Sequence, residues 1–163
     1  MDFKLGCNYL ASHTGVYMWK KWDRAVVETD MQRLKNCGIR VLRAFPLWSD
    51  FQPLTRAKSN EYKEYRHGDK VLNRQTPEGL AGVDPVMIRH FEEFVELARQ
   101  YEMELIIPLI TGWMSGRMFF PPLSEMRSPD EHGVRLWIAS IKGLCYTFPG
   151  RMPSCHTLKP LQG

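Results

Sequence analysis

Apolar positions change their spacing from block to block along this chain, and the spacing names the elements. Phe3 to Leu10 is a short apolar run and reads as a strand. Asp23 then caps a helix through Cys37, with Val27, Met31 and Leu34 at helical spacing on one face. Gly38 follows at the position that favours a left-handed residue after a helix. Ile39 to Phe45 reads as a second strand, ended by Pro46. A polar stretch rich in Lys, Arg, Asn and Gly continues to Gly82 and is expected to be a long loop, functional or disordered. Asp84 and Pro85 supply the cap and first-turn proline of the next helix. Met87, Phe91, Phe94, Ala98 and Tyr101 line its apolar face. Glu104 to Ile110 reads as a third strand, apolar enough to be covered on both faces. Gly112 to Met126 is expected to be a loop. Ser128-Pro129-Asp130-Glu131 is a capping box for a third helix, with Val134, Trp137, Ile138, Ile141 and Leu144 on its apolar face.

Strand and helix repeated three times predict an α/β fold, with a parallel sheet and right-handed crossovers. That pattern alone does not choose between an open sheet and a closed barrel. The first strand-to-helix loop, Asn8 to Trp22, has neither GxGxxG nor GxxxxGK[ST], which disfavours a nucleotide at that turn. After the third helix a further strand is due near Pro149. Residues 149–163 instead carry three prolines and no apolar run of strand length. We therefore divide the chain into a folded part, 1–148, and an irregular tail, 149–163.

Composition changes this picture little. With 44% hydrophobic and 25% charged residues the chain is globular in type. A net charge of +4 is too small to argue for nucleic acid. Much of its basic excess lies between Thr55 and Thr76 with no base-reading motif, and suits a solvated loop. Cys7, Cys37, Cys145 and Cys155 form no CxxC pair, and no HExxH is present, so neither a metal nor a cofactor is expected. Reduced thiols and the lack of a leader-like start suggest a cytoplasmic setting. No apolar run approaches the ~20 residues of a membrane span.

If the sheet is a barrel, chemistry belongs at the C-terminal ends of its strands. Asn8, Tyr9, His13, Tyr17, Trp19 and Trp22 follow the first strand, and Arg43, Phe45 and Trp48 close the second. Trp113, Ser115, Arg117, Phe119 and Phe120 follow the third. Aromatic rings beside polar donors are what a sugar needs, because its C–H faces stack and its hydroxyls take directional hydrogen bonds. The packing alternatives are concrete. Trp19 and Trp22 can equally pin a loop to the rim. Arg43 in an apolar strand requires a partner if it is buried.

Several of these residues fall in a familiar order. Gly6-Cys7-Asn8-Tyr9, Met18-Trp19, Trp22-Asp23, Asp30, Gly38, Val41-Leu42-Arg43, Phe45, Trp48 and Asp50-Phe51-Gln52-Pro53 form one series, and Thr111-Gly112-Trp113-Met114-Ser115-Gly116 another. Together they resemble the start of retaining βα-barrel glycoside hydrolases, in particular the family 5 cellulase and mannanase group and its β-galactosidase-like relatives. The resemblance runs from about Lys4 to Tyr146. It implies the N-terminal three βα units of a TIM (β/α)8 barrel, incomplete in this chain. It implies carbohydrate as partner and, with Trp19 and Trp48 taken from the strand ends, makes Asn8, Tyr9, Trp19, Arg43, Trp48 and Trp113 the expected substrate-binding residues. Arg43 matches the strand-two arginine beneath the family's nucleophile. Trp113 stands where relatives often carry histidine.

The family's two catalytic glutamates belong to strands four and seven, the first usually after an asparagine. The only Asn-Glu here, Asn60-Glu61, lies after the second strand, at the wrong place for that role. The resemblance thus implies a truncated glycoside hydrolase with no catalytic residue of its own. Two other readings remain at this level: a non-catalytic carbohydrate-binding or interaction fragment, and an unrelated βα-barrel metabolic enzyme. Three parallel strands cannot close a barrel, so self-association through open sheet edges is also expected.

Overall fold

The computed structural model describes residues 3–54, 56–58, 64–73, 75–108, 111, 113–114 and 117–118. The expected third helix, the tail 149–163 and Asn60-Glu61 lie outside these residues.

A parallel three-stranded sheet organises the described residues. Its strands are β1 (Leu5–Tyr9), β2 (Ile39–Ala44) and β6 (Glu104–Ile106), in spatial order β1-β2-β6. Helix α1 (Arg24–Asn36) connects β1 to β2, and α4 (Pro85–Gln100) leads into β6. Local chemistry sets the helix ends. The Asp23 carboxylate accepts from the Ala25 and Val26 N–H groups at the start of α1, and Asp84 accepts from Val86 N–H at the start of α4. Gly38, after α1, holds φ at +81°, a conformation that disfavours any side chain.

Both helices cover one face of the sheet. Leu42 and Ala44 of β2 lie there without exposed surface, against Val27 and Met31 of α1 and Phe91, Phe94 and Leu97 of α4. Trp19 is the centre of this core. Its indole meets Phe51 edge-on at 5.2 Å and Phe94 edge-on at 5.6 Å, and stacks parallel to Trp22 at 5.9 Å. Edge-on aromatic pairs place a positive ring edge against a negative face, which adds to the area they bury.

Three sequence expectations change. The polar stretch after β2 is not one long loop. It forms α2 (Trp48–Phe51), the antiparallel strands β3 (Arg56–Lys58), β4 (Glu64–His67) and β5 (Lys70–Val71), and α3 (Pro77–Ala81). A tight turn at Gly68-Asp69, with Gly68 at φ +59°, joins β4 to β5. The third strand is three residues long, Glu104–Ile106, because Pro108 has no N–H to extend the ladder. Nor is it covered on both faces, since Ile106 is 54% exposed. Finally, the loop after it contains a hairpin, β7 (Trp113–Met114) against β8 (Arg117–Met118).

Candidate carbohydrate site

Strand alternation decides which sequence candidates can meet a ligand. Cys7, Leu42 and Leu105 are register partners and face the helices. The next row, Asn8–Arg43–Ile106, must therefore face the other way, and all three residues are exposed. Asn8 and Arg43 thus stand side by side at the C-terminal ends of neighbouring strands. Arg43 lies on the open face, so it is not the buried charge that would need an ion-pair partner. Its guanidinium carbon sits 5.1 Å from the centroid of the Phe45 ring, a cation–π contact that steadies a five-donor group.

The same alternation removes Tyr9 from that face. Tyr9 is buried, stacks on Phe94 at 5.7 Å and donates its hydroxyl to Asp30 Oδ2 at 3.1 Å. Asp30 Oδ2 also accepts from Ser12 N–H at 2.9 Å, so one carboxylate ties β1, the loop after it and α1 together. Burial, and then the Asp30 charge and hydrogen bond, push the Tyr9 hydroxyl well above the ordinary tyrosine range. Burial also raises the Cys7 thiol.

Trp19 is likewise corrected from ligand contact to packing. It has no exposed surface, and its Nε1–H donates to the Phe45 carbonyl at 2.7 Å. Trp48 is 8% exposed and donates to Gln52 Oε1 at 2.8 Å. Trp113 opens β7, and its side chain lies outside the described residues. Of the six sequence candidates, the structure brings together Asn8 and Arg43 on the open face. Sequence reasoning gave no role of its own to Asp30. The available signal was a carboxylate between Val27 and Leu34 on the apolar face of α1.

The segments that follow the three strands are pinned to one another. Thr111 bridges Leu47 in parallel, and the Trp48 N–H donates to the Thr111 carbonyl at 3.3 Å. Lys20, after β1, pairs with Asp50 of α2 at 2.8 Å. Arg117, after β6, donates to the Tyr17 hydroxyl at 2.8 Å. At the sheet's outer edge a cavity of about 300 Å³ opens between β1 and α1, bounded by Leu10, Ser12, Asp30 and Arg33.

Solved structures share this fold. A GH5_18 protein from Bifidobacterium longum subsp. infantis superposes with a TM-score of 0.68 at 23% identity, over 91% of this chain and 31% of its own. A GH5_18 protein from Streptomyces cattleya in complex with GlcNAc gives 0.62 at 20% identity, over 86% and 29%. The exo-beta-1,4-mannosidase Op5Man5 from Opitutaceae bacterium strain TAV5 gives 0.55 at 23%, over 80% and 18%. The chain shares its fold with part of these GH5 structures. The chain spans less than a third of the length of these GH5-like structures. No family model matches the sequence, and no curated protein matches it.

Proposed function

We propose that this chain forms the first three βα units of a retaining glycoside-hydrolase barrel and supplies part of its sugar-binding rim. The observation that carries the reading is the pairing of Asn8 with Arg43 on the face turned away from the helices, at the C-terminal strand ends. In a βα barrel that face is the interior, and those ends bear the site. The Asn8 amide both donates and accepts, and the Arg43 guanidinium donates only. Together they suit vicinal sugar hydroxyls. A further GH5_18 neighbour, a variant from Streptomyces cattleya, was solved in complex with Manb1-4GlcNAc, which makes a β-linked manno-disaccharide the natural first ligand to try.

Retaining hydrolysis needs two carboxyl groups ~5–5.5 Å apart, one as acid/base and one as nucleophile. The row that carries Asn8 and Arg43 offers none. The reading is therefore of binding without turnover in the chain alone, with residues 1–148 as the barrel part. The test uses the full chain. No hydrolysis of aryl β-mannosides is expected, whereas calorimetry should detect Manb1-4GlcNAc binding that Arg43→Ala weakens at least tenfold. Turnover abolished by Glu61→Gln would overturn the view that Asn60-Glu61 is not catalytic.

A further inference from the structure

β2 lies between β1 and β6, so the loop after β1 and the hairpin after β6 flank the end of β2, which carries Arg43 and Phe45. Those two segments meet in one contact, the hydrogen bond from Arg117 to the Tyr17 hydroxyl at 2.8 Å. Tyr17 is an unusual surface residue. Its side chain is 47% exposed, yet Met18 and Trp19 beside it have no exposed surface. Its backbone is held in consecutive turns: its N–H donates to the Thr14 carbonyl at 3.2 Å, and its carbonyl accepts from Lys20 and Lys21 at 3.1 and 2.9 Å. The loop is braced again by a contact of 2.8 Å between the His13 ring and the Lys21 carbonyl, and by the 2.8 Å pair of Lys20 with Asp50. Tyr17 is thus half-exposed while its backbone and its hydroxyl are both held.

We infer that Tyr17, braced by Arg117, is a stacking platform for a second sugar ring at the rim of the cleft that Arg43 and Asn8 begin. The inference rests on the carbohydrate reading of that cleft. A rigid exposed aromatic loses little freedom on binding, so stacking energy is retained as affinity. Its neighbour Arg117 brings hydrogen-bond donors to the same place, which favours a hydroxylated ring over a purely apolar ligand. A two-ring β-linked sugar should therefore use both Arg43 and Tyr17, and a single ring only the Arg43 end.

Calorimetry on the full-length chain with Manb1-4GlcNAc and with free mannose separates the possibilities. Tyr17→Ala should weaken the disaccharide about tenfold, or ~1.4 kcal/mol, and leave mannose within about twofold. Tyr17→Trp, which keeps a stacking face, should retain the affinity. Arg117→Met should weaken the disaccharide by a smaller factor, because the ring is no longer held. Should Tyr17→Ala lose its native circular dichroism, Tyr17→Gln takes its place. Unchanged disaccharide affinity in the Tyr17 variants, with a loss in Arg43→Ala, would overturn the platform and leave the cleft standing. Equal losses for both sugars would overturn the second subsite. If the unaltered chain binds neither sugar, the cleft and the platform fall together.

Discussion

Trp19 donates its indole N–H to the Phe45 carbonyl at 2.7 Å from a position with no exposed surface. Removing the ring leaves a large cavity where four other rings met, and Trp19→Ala should cost about 3–5 kcal/mol. That is the order of a small domain's whole stability, so this variant is expected to unfold or nearly so. Trp19→Phe keeps most of the volume but orphans a carbonyl, at about 1–3 kcal/mol. Urea midpoints by circular dichroism should fall in the order native, Phe, Ala. An Ala midpoint within error of native would place Trp19 at the rim after all.

Tyr9 gives a pH test of the same kind. Its folded pKa is raised, so the native state holds the hydroxyl proton more tightly than the unfolded chain does. The resulting stability is fully present below the unfolded value of about 10, and declines as pH rises beyond it. Tyr9→Phe lacks this group. Its stability should be lower at pH 8, and should fall less steeply between pH ~9 and ~11 than that of the native chain. Parallel slopes across that range would show that the Tyr9 hydroxyl holds its proton no more tightly in the folded than in the unfolded chain.

At the scale of elements, glycine positions discriminate between loops that merely turn and loops that pack. Gly82 ends α3 at φ +67°, and a Cβ there would lie 3.0 Å from Leu54 Cδ2. Gly38 ends α1 at φ +81° with nothing within 4 Å. Both alanine variants incur the left-handed penalty of about 1–2 kcal/mol. Gly82→Ala must also displace Leu54, so it should be the less stable of the two by thermal unfolding. Helices α1 and α4 were legible because each carries two agreeing signals, a capping aspartate and apolar residues at helical spacing. β1 was legible in type, and its faces were too: Leu5, Cys7 and Tyr9 alternate with Gly6 and Asn8. Reading Asn8 and Tyr9 as joint lining residues overlooked that alternation. The meander was hidden because strands of two to four residues give too few positions to show a period. Only the Gly68-Asp69 turn marked it. The end of β6 could have been placed at Pro108, where the apolar run continued but the donor did not.

For the molecule as a whole, the outer edges of β1 and β6 pair with no other strand among the described residues. Leu5 on β1 and Ile106 on β6 are 47% and 54% exposed, and Phe3 just before β1 is 90% exposed. Apolar side chains beside unpaired backbone groups favour association. Light scattering after size exclusion should show mass rising with concentration, and Ile106→Lys should reduce the rise without lowering the unfolding temperature. A monomer at every concentration would show that those edges are covered. The core has a different consequence, in time. Tyr9 and Trp19 find their ring partner Phe94 only on α4, which for Tyr9 is about 85 residues later. At the ~5–20 residues per second of translation, the first strand and its loop leave the ribosome roughly 4–17 s ahead of that partner. For that interval the nascent chain presents the rings that later form its centre, and a chaperone that holds the first forty residues would be guarding the nucleus of the fold.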